Sequence, residues 1–199
     1  MVRMIAFFLA VLFLVITPGP GVLSTAGVGS AFGRAAGIRY VTGLFIGNNL
    51  VALAVVSGLA AIVFAVPMVR NILLVLSLVY LLYLAFRIAT AGAKVAFIES
   101  AHQPGIFAGI TLQLINPKAY AVNTTLFTGF PFFADALVWE TILKFALLNT
   151  VWVPVHLLWL TAGIMVKRLD LAPHVQFRIN LLMAVAMLAV VTLALFANF

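Results

Sequence analysis

Two matching tripeptides, each with a proline inside a long apolar stretch, carry the chemistry that stands out in this chain. Ile16-Thr17-Pro18 is echoed by Ile115-Asn116-Pro117, 99 residues further along. Proline inside a helix removes a backbone hydrogen bond and clashes with the preceding turn, which costs about 3 kcal/mol. Thr or Asn followed by Pro is typical of a helix start, where backbone N–H groups and about half a positive charge favour an anion. We therefore predict two half-helix starts that bind a carboxylate or another small anionic group.

Lys118 directly follows the second proline and would strengthen that preference. A charge near mid-membrane is costly and by default marks a functional site, although a lysine stem can also snorkel to the interface. Polar residues at helical spacing predict a cavity around it. The candidate substrate-binding residues are Thr17, Pro18, Gly19, Pro20, Asn48, Asn49, Gln113, Asn116, Pro117, Lys118, Tyr120, Asn123 and His156. For each residue singly, an interhelical hydrogen bond is the competing interpretation.

The composition excludes a soluble globular domain. Of the 199 residues, 66% are hydrophobic and 8% are charged, whereas about 25% of residues are charged in soluble domains. The net charge of +7 fits the cytoplasmic loops of a membrane protein better than a phosphate-binding face, so no nucleic-acid partner is expected. The absence of cysteine excludes disulfides and thiol chemistry, and we predict no metal and no cofactor.

Six nearly uncharged stretches are candidates for transmembrane helices, which need about 20 apolar residues. They are Met4 to Val28, Tyr40 to Val66, Asn71 to Phe86, Gly105 to Phe133, Phe145 to Val166 and Ile179 to Phe199. This pattern predicts an all-α membrane protein with a single integral membrane domain over residues 1–199. A signal peptide is the rival interpretation of the first stretch, but the prolines that end it match those of the fourth.

A polar connector from Gly92 to Gly105 divides the chain into halves of approximately 1–98 and 99–199. Three spans per half is an odd number, so the halves cross the membrane in opposite senses, as in transporters built from inverted repeats, with helices one and four broken.

The positive-inside rule places the connectors after spans one, three and five in the cytoplasm and both termini outside. Those connectors hold Arg34, Arg39, Arg87, Lys94, Lys167, Arg168 and Arg178, while Arg3, Arg70 and Lys144 lie on the other side.

Small and aromatic residues are assigned to packing and anchoring. The small-residue spacing of Gly29, Gly33 and Gly37, of Gly43 and Gly47, and of Gly105 and Gly109 is typical of closely packed membrane helices. We expect Tyr40, Trp139 and the phenylalanines from Phe130 to Phe133 at the membrane interface.

Enzyme signatures are nearly absent, because all four acids fall in predicted connectors and no histidine pair has metal-ligand spacing. The acids are Glu99, Asp135, Glu140 and Asp170. Two alternatives to transport stay open. A non-transporting scaffold, whose polar stripe binds a partner helix, predicts co-purification without flux. A membrane-embedded enzyme with His156 as base predicts a chemically altered product.

Five motifs, in order along the chain, resemble the LysE/RhtB family of amino-acid exporters. They are Ile16-Thr17-Pro18-Gly19-Pro20, Gly33-Arg34-Ala35-Ala36-Gly37, the pair Gly43 and Gly47, Tyr80-Leu81-Leu82-Tyr83-Leu84-Ala85-Phe86-Arg87, and Leu114-Ile115-Asn116-Pro117-Lys118-Ala119. The resemblance covers essentially the whole chain. It implies a protein of the bacterial cytoplasmic (inner) membrane that moves amino acids or their derivatives outward, driven by an ion gradient.

Two positions depart from that family. Its members often carry Asn or Asp where this chain has Gly21, and an acid where it has Asn48. Proton uptake would then fall to His156, Lys118 or the substrate, and facilitated diffusion stays open, as does a homo-oligomer.

We expect a secondary transporter that exports a small zwitterionic amino acid or derivative by alternating access. The two helix starts and Lys118 would bind the substrate carboxylate. Asn48, Asn49 or freed backbone carbonyls would bind its amine.

Overall fold

The computed structural model describes residues 2–17, 19–90, 103–133, 135–169 and 171–196, and every regular element within these ranges is a helix. In chain order they are α1 (Val2–Ile16), α2 (Pro20–Phe32), α3 (Arg34–Val56), α4 (Leu59–Ala65), α5 (Pro67–Thr90), α6 (Ile106–Ile115), α7 (Pro117–Gly129), α8 (Leu137–Arg168) and α9 (Pro173–Phe196). Among them, α3, α5 and α8 are long and apolar enough to cross a membrane, and the bent pair α1–α2 makes a fourth candidate. The described residues therefore form an all-helical structure with three or four helices that could span a membrane.

The helices are interrupted at both of the matching tripeptides. The axes of α1 and α2 are inclined by 49°. A single residue, Asn116, separates the end of α6 from the start of α7. The residue before each new helix has extended backbone, Gly19 with φ −162° and ψ 179° and Asn116 with φ −81° and ψ 107°. A proline then occupies the first helical position, where its missing N–H costs no hydrogen bond.

The first interruption lies two residues later than the Thr-Pro pattern predicts. Pro20 rather than Pro18 begins α2, and Gly19 rather than Thr17 precedes it; Pro18 lies outside the described residues. The Thr17 hydroxyl instead donates to the Phe13 carbonyl at 2.5 Å. Pro20 disfavours helical backbone at the residue before it, Gly19, so the helix starts at Pro20 and not at Pro18.

Several predicted spans have other bounds than the hydropathy indicated, and three of them change the interpretation. The predicted span Tyr40 to Val66 is divided, because α3 ends at Val56 and Gly58 adopts a left-handed conformation with φ 78°, a common helix terminator. α5 starts earlier than predicted, at Pro67. α8 starts at Leu137, so Glu140 and Lys144 are helical and do not belong to a connector. The polar connector falls mostly outside the described residues.

Glu140 and Lys144 are buried together on one face of α8, 5% and 2% exposed, with 2.8 Å between Oε1 and Nζ. Glu140 Oε2 accepts from the backbone N–H groups of Phe132 and Phe133, and Lys144 Nζ donates to the Phe127 carbonyl at 2.8 Å. The pair therefore satisfies backbone groups that the α7–α8 loop leaves without helical partners.

Tyr40 was expected at the interface but is fully buried. Its hydroxyl donates to Ser24 Oγ at 2.9 Å. Its backbone carbonyl lies so close to Gly109 that a Cβ added there would collide with it. The side chain is buried because α3 packs closely against both α2 and α6, which leaves no lipid or water on that face.

Glycines bring two pairs of helices to backbone contact. A Cβ added at Gly43 of α3 would collide with the Ile106 carbonyl of α6. Likewise, a Cβ added at Gly163 of α8 would collide with the Ala26 carbonyl of α2. Gly47 and Gly29 make further close approaches in the same two pairs. The predicted packing role therefore holds for Gly29, Gly43 and Gly47. Gly105, which was predicted to pack as well, has nothing within 4 Å of an added Cβ.

Gly43→Ala should lower the thermal stability of the purified protein, because the added methyl group meets rigid backbone at Ile106. Overpacking of this kind costs about 1–3 kcal/mol. Thermal unfolding in detergent measures the effect. Gly129→Ala is the matched control, since nothing lies within 4 Å of a Cβ there. Equal unfolding temperatures for the two variants would contradict the close approach of α3 and α6.

Candidate functional site

A cavity of about 50 Å³ lies where the two helix interruptions meet. α1, α2, α3, α6, α7 and α8 all contribute to its wall; the lining residues are Leu14, Val15, Thr17, Gly19, Gly21, Val22, Asn48, Gln113, Asn116, Lys118, Ala119, Val122, Leu148, Trp152 and His156. Both helix interruptions, the cap of α7 and the middle of α8 therefore contribute to one cavity.

Lys118 joins the two interruptions directly. Its Nζ, on the second half-helix start, donates to the backbone carbonyl of Thr17 at 2.6 Å. That carbonyl follows the last turn of α1, where a lysine interacts favourably with the negative end of the helix dipole. A Cβ at Gly19 would lie only 2.8 Å from Lys118 Cδ, so glycine there gives the lysine stem room to cross the break.

Asn116 caps α7 as the sequence predicts. Its Oδ1 accepts from the backbone N–H of Lys118 at 3.1 Å, and its Nδ2 donates to Gln113 Oε1 at 3.1 Å. The cap therefore links the end of α6 to the start of α7 across the interruption. It also fixes the Gln113 amide at the cavity wall.

Asn48 reaches the cavity from α3. Its Oδ1 accepts from Asn123 Nδ2 at 3.2 Å, and that Nδ2 also donates to the Ala119 carbonyl at 2.8 Å. The Nδ2 of Asn48 is buried without a partner among the described residues. An unpaired buried N–H costs about 1–3 kcal/mol, which an acceptor on a bound molecule would recover.

His156 enters the cavity from α8, 4% exposed. Its Nδ1 lies 2.9 Å from the Trp152 carbonyl oxygen, and its ring stacks on the Trp152 indole with centroids 3.5 Å apart and an interplanar angle of 14°. Its Nε2 lies 3.4 Å from the place that a Cβ at Gly21 would occupy. The ring is therefore held with one nitrogen directed at the cavity.

Of the predicted site residues, the structure brings seven into the cavity wall: Thr17, Gly19, Asn48, Gln113, Asn116, Lys118 and His156. Asn123 lies behind Asn48. Pro20 and Pro117 begin the two half-helices without lining the cavity.

Two predicted residues are directed elsewhere. Asn49 forms a reciprocal amide pair with Asn149, at 2.8 and 3.2 Å. The Tyr120 hydroxyl donates to the Leu114 carbonyl at 2.8 Å. Gln113 and Asn116 line the cavity whereas Tyr120 does not, so the polar positions from Gln113 to Asn123 do not share one continuous face.

The prediction omitted Gly21, Trp152 and the apolar part of the wall. Trp152 was detectable in principle, because it lies one turn before His156 on α8. The aliphatic wall was not detectable, because its leucines and valines have the same character as the lipid-facing ones.

The polar groups at the cavity suit an anionic group better than a cation. Among the described residues, Lys118 is the only charged side chain in the wall, and Asn48 Nδ2 is an unused donor. Within the described part of the chain, no cluster of three or more His, Cys, Asp or Glu could hold a metal ion.

Comparison with known proteins decides the family. The LysE type translocator family model matches residues 12–198. The chain belongs to this family. The resemblance drawn from the five motifs is thereby confirmed, and the LysE-family membership makes this an integral membrane protein of a transporter family.

Several curated relatives of this LysE-family chain are similar over part of their length. A leucine efflux protein of Enterobacter sp. (strain 638) is 30% identical over 125 residues, covering 59% of this chain and 58% of the relative. A leucine efflux protein of Klebsiella pneumoniae is 26% identical, covering 63% and 62%. An uncharacterized membrane protein of Pseudomonas aeruginosa is 31% identical, covering 62% of each. The matches thus span about three fifths of these relatives, and no solved structure matches the chain.

Asn116→Ala should reduce the free energy of unfolding, because it removes the cap of α7 and the bond to Gln113. Loss of such a cap costs about 0.5–2 kcal/mol. Asn116→Ser retains an oxygen acceptor for the Lys118 N–H and should keep most of the stability. Unfolding in mixed detergent micelles measures both variants, and an equal loss in the two would show that capping is not the cause.

Proposed function

We propose that this LysE-family protein exports a neutral amino acid with an apolar side chain, such as leucine, across the bacterial cytoplasmic membrane. The substrate carboxylate binds between the starts of α2 and α7, close to Lys118. The single observation that carries the proposal is the Lys118–Thr17 contact of 2.6 Å, which joins both interruptions at one cavity in a chain of a translocator family.

The substrate class follows from the cavity wall. Its single described charge is the positive Lys118, which pairs with a carboxylate and repels a substrate with an additional positive charge. The rest of the wall is largely aliphatic and aromatic, with Val15, Val22, Val122, Leu148 and Trp152 among its members. A branched aliphatic side chain fits these surroundings, and the names of two relatives, leucine efflux protein, support the same class.

The proposed topology is six spans in two inverted halves. Two contacts support the alignment of the helix ends: Arg3 donates to the Pro131 carbonyl at one end, and Lys167 donates to the Ala31 carbonyl at the other. α2 and α7, the corresponding half-helices of the two repeats, thus run in opposite directions from the shared cavity. The larger share of lysine and arginine lies at the Lys167 end, which we assign to the cytoplasm, with both termini outside.

The proposed transport cycle is alternating access. The Lys118–Thr17 contact joins the two half-helix starts at the cavity wall, so the proposed cycle has substrate binding separate them. Replacement of the Thr17 carbonyl by the substrate carboxylate at Lys118 Nζ would couple binding to that separation, because it breaks the contact that joins the interruptions.

Lys118→Met should slow leucine efflux at least about tenfold, because a hydrogen bond to a charged group contributes about 1.5–3 kcal/mol and about 1.4 kcal/mol corresponds to a factor of ten. The measurement is the initial rate of efflux from proteoliposomes loaded with isotope-labelled leucine, with and without a pH gradient.

Lys167→Met is the matched control. Lys167 also donates to a backbone carbonyl, that of Ala31 at 3.2 Å, but it is exposed and outside the cavity. This variant should transport at close to the normal rate. Undiminished efflux by Lys118→Met would remove Lys118 from the mechanism, and wild-type vesicles that release no neutral amino acid would overturn the proposed function.

A further inference from the structure

The side-chain amides of the cavity wall already use their oxygens. Asn116 Oδ1 accepts from the Lys118 N–H, and Gln113 Oε1 accepts from Asn116 Nδ2, both at 3.1 Å. Asn48 Oδ1 accepts from Asn123 Nδ2 at 3.2 Å. A substrate ammonium group has three hydrogens to donate and needs acceptors. Each of these amide oxygens already accepts one hydrogen bond, whereas Asn48 Nδ2 has no partner among the described residues and can donate to a carboxylate.

His156 supplies a further acceptor at the cavity. A carbonyl oxygen can only accept, so the 2.9 Å contact with the Trp152 carbonyl places a hydrogen on His156 Nδ1. In the neutral ring, the other nitrogen, Nε2, then presents a lone pair. Stacking on Trp152 holds the ring in this orientation.

Glycine at position 21 leaves space in front of that nitrogen. An added Cβ would lie 3.4 Å from His156 Nε2 and 3.8 Å from Gln113 Nε2. Both distances are ordinary van der Waals contacts, so a small side chain would fit there without displacing backbone. The gap is therefore present because residue 21 is glycine, and helix packing does not require glycine at this position.

We propose that the gap beside Gly21 is the subsite for the substrate's ammonium group, with His156 Nε2 as its hydrogen-bond acceptor; this rests on the proposed function. Gly21 lies two residues after Gly19, where Lys118 crosses the interruption. The amine and carboxylate of an α-amino acid leave the same carbon, so they can occupy these adjacent places at the start of α2. Because this acceptor is neutral and not a carboxylate, it favours a zwitterionic amino acid over one with a second positive charge on its side chain.

The test compares leucine with 4-methylpentanoate, which is leucine without its amine. Isothermal titration of each compound into the purified wild-type protein in lipid nanodiscs should show about tenfold or greater preference for leucine. His156→Leu should reduce the leucine affinity to that of 4-methylpentanoate and leave the latter unchanged. His156→Gln, whose amide oxygen can accept, should restore part of the preference.

Gly21→Ala provides a variant in which His156 is intact. It fills the gap at an uncrowded position, so it should fold normally and weaken leucine binding more than 4-methylpentanoate binding. Equal weakening of both compounds by His156→Leu and by Gly21→Ala would overturn the ammonium subsite. Unchanged leucine affinity in both variants would overturn it as well. A wild-type protein that binds neither compound would instead refute the proposed function, and the subsite with it.

Discussion

The arrangement at the centre of this protein depends on one requirement: backbone groups freed by a broken helix have to find partners inside the protein, because lipid offers none. α1 ends with a carbonyl that no helical N–H satisfies, and α7 begins close to it. Lys118 meets the requirement by donating to the Thr17 carbonyl. Asn116 meets it at the other interruption by accepting from the Lys118 N–H. One residue thus takes part in satisfying both breaks, which holds the two helix starts at a single cavity.

The same requirement explains why polar groups collect at this cavity. Groups that compensate for a broken helix are polar, so they bring hydrogen-bonding capacity and one charge into the membrane interior. In the described structure, the Lys118 ammonium is used on a backbone carbonyl, a weaker partner than a carboxylate. A carboxylate would therefore compete favourably with the Thr17 carbonyl for Lys118.

The sequence predicted the interruptions because proline acts locally, and it predicted the Asn116 cap for the same reason. It placed the first helix start at Pro18 because two prolines compete there, and only the backbone conformation of Gly19 decides between them. Asn48 and Asn49 show a different limit. Neighbouring helical residues point about 100° apart, so one lines the cavity while the other pairs with Asn149, and nothing in the local sequence distinguishes them.

Helix packing restricts how the cavity can open. The closest backbone contacts join helices from different halves of the sequence, α2 with α8 and α3 with α6. A rotation of one sequence half against the other would break both contacts, where glycine carries no side chain that could adjust. Movement of α2 with α8, and of α3 with α6, would preserve them and concentrate the change at the interruptions beside Gly19 and Asn116. The interruption beside Gly19 bears the Lys118–Thr17 contact that the proposed substrate would replace, so the packing and the site chemistry favour the same place for a conformational change.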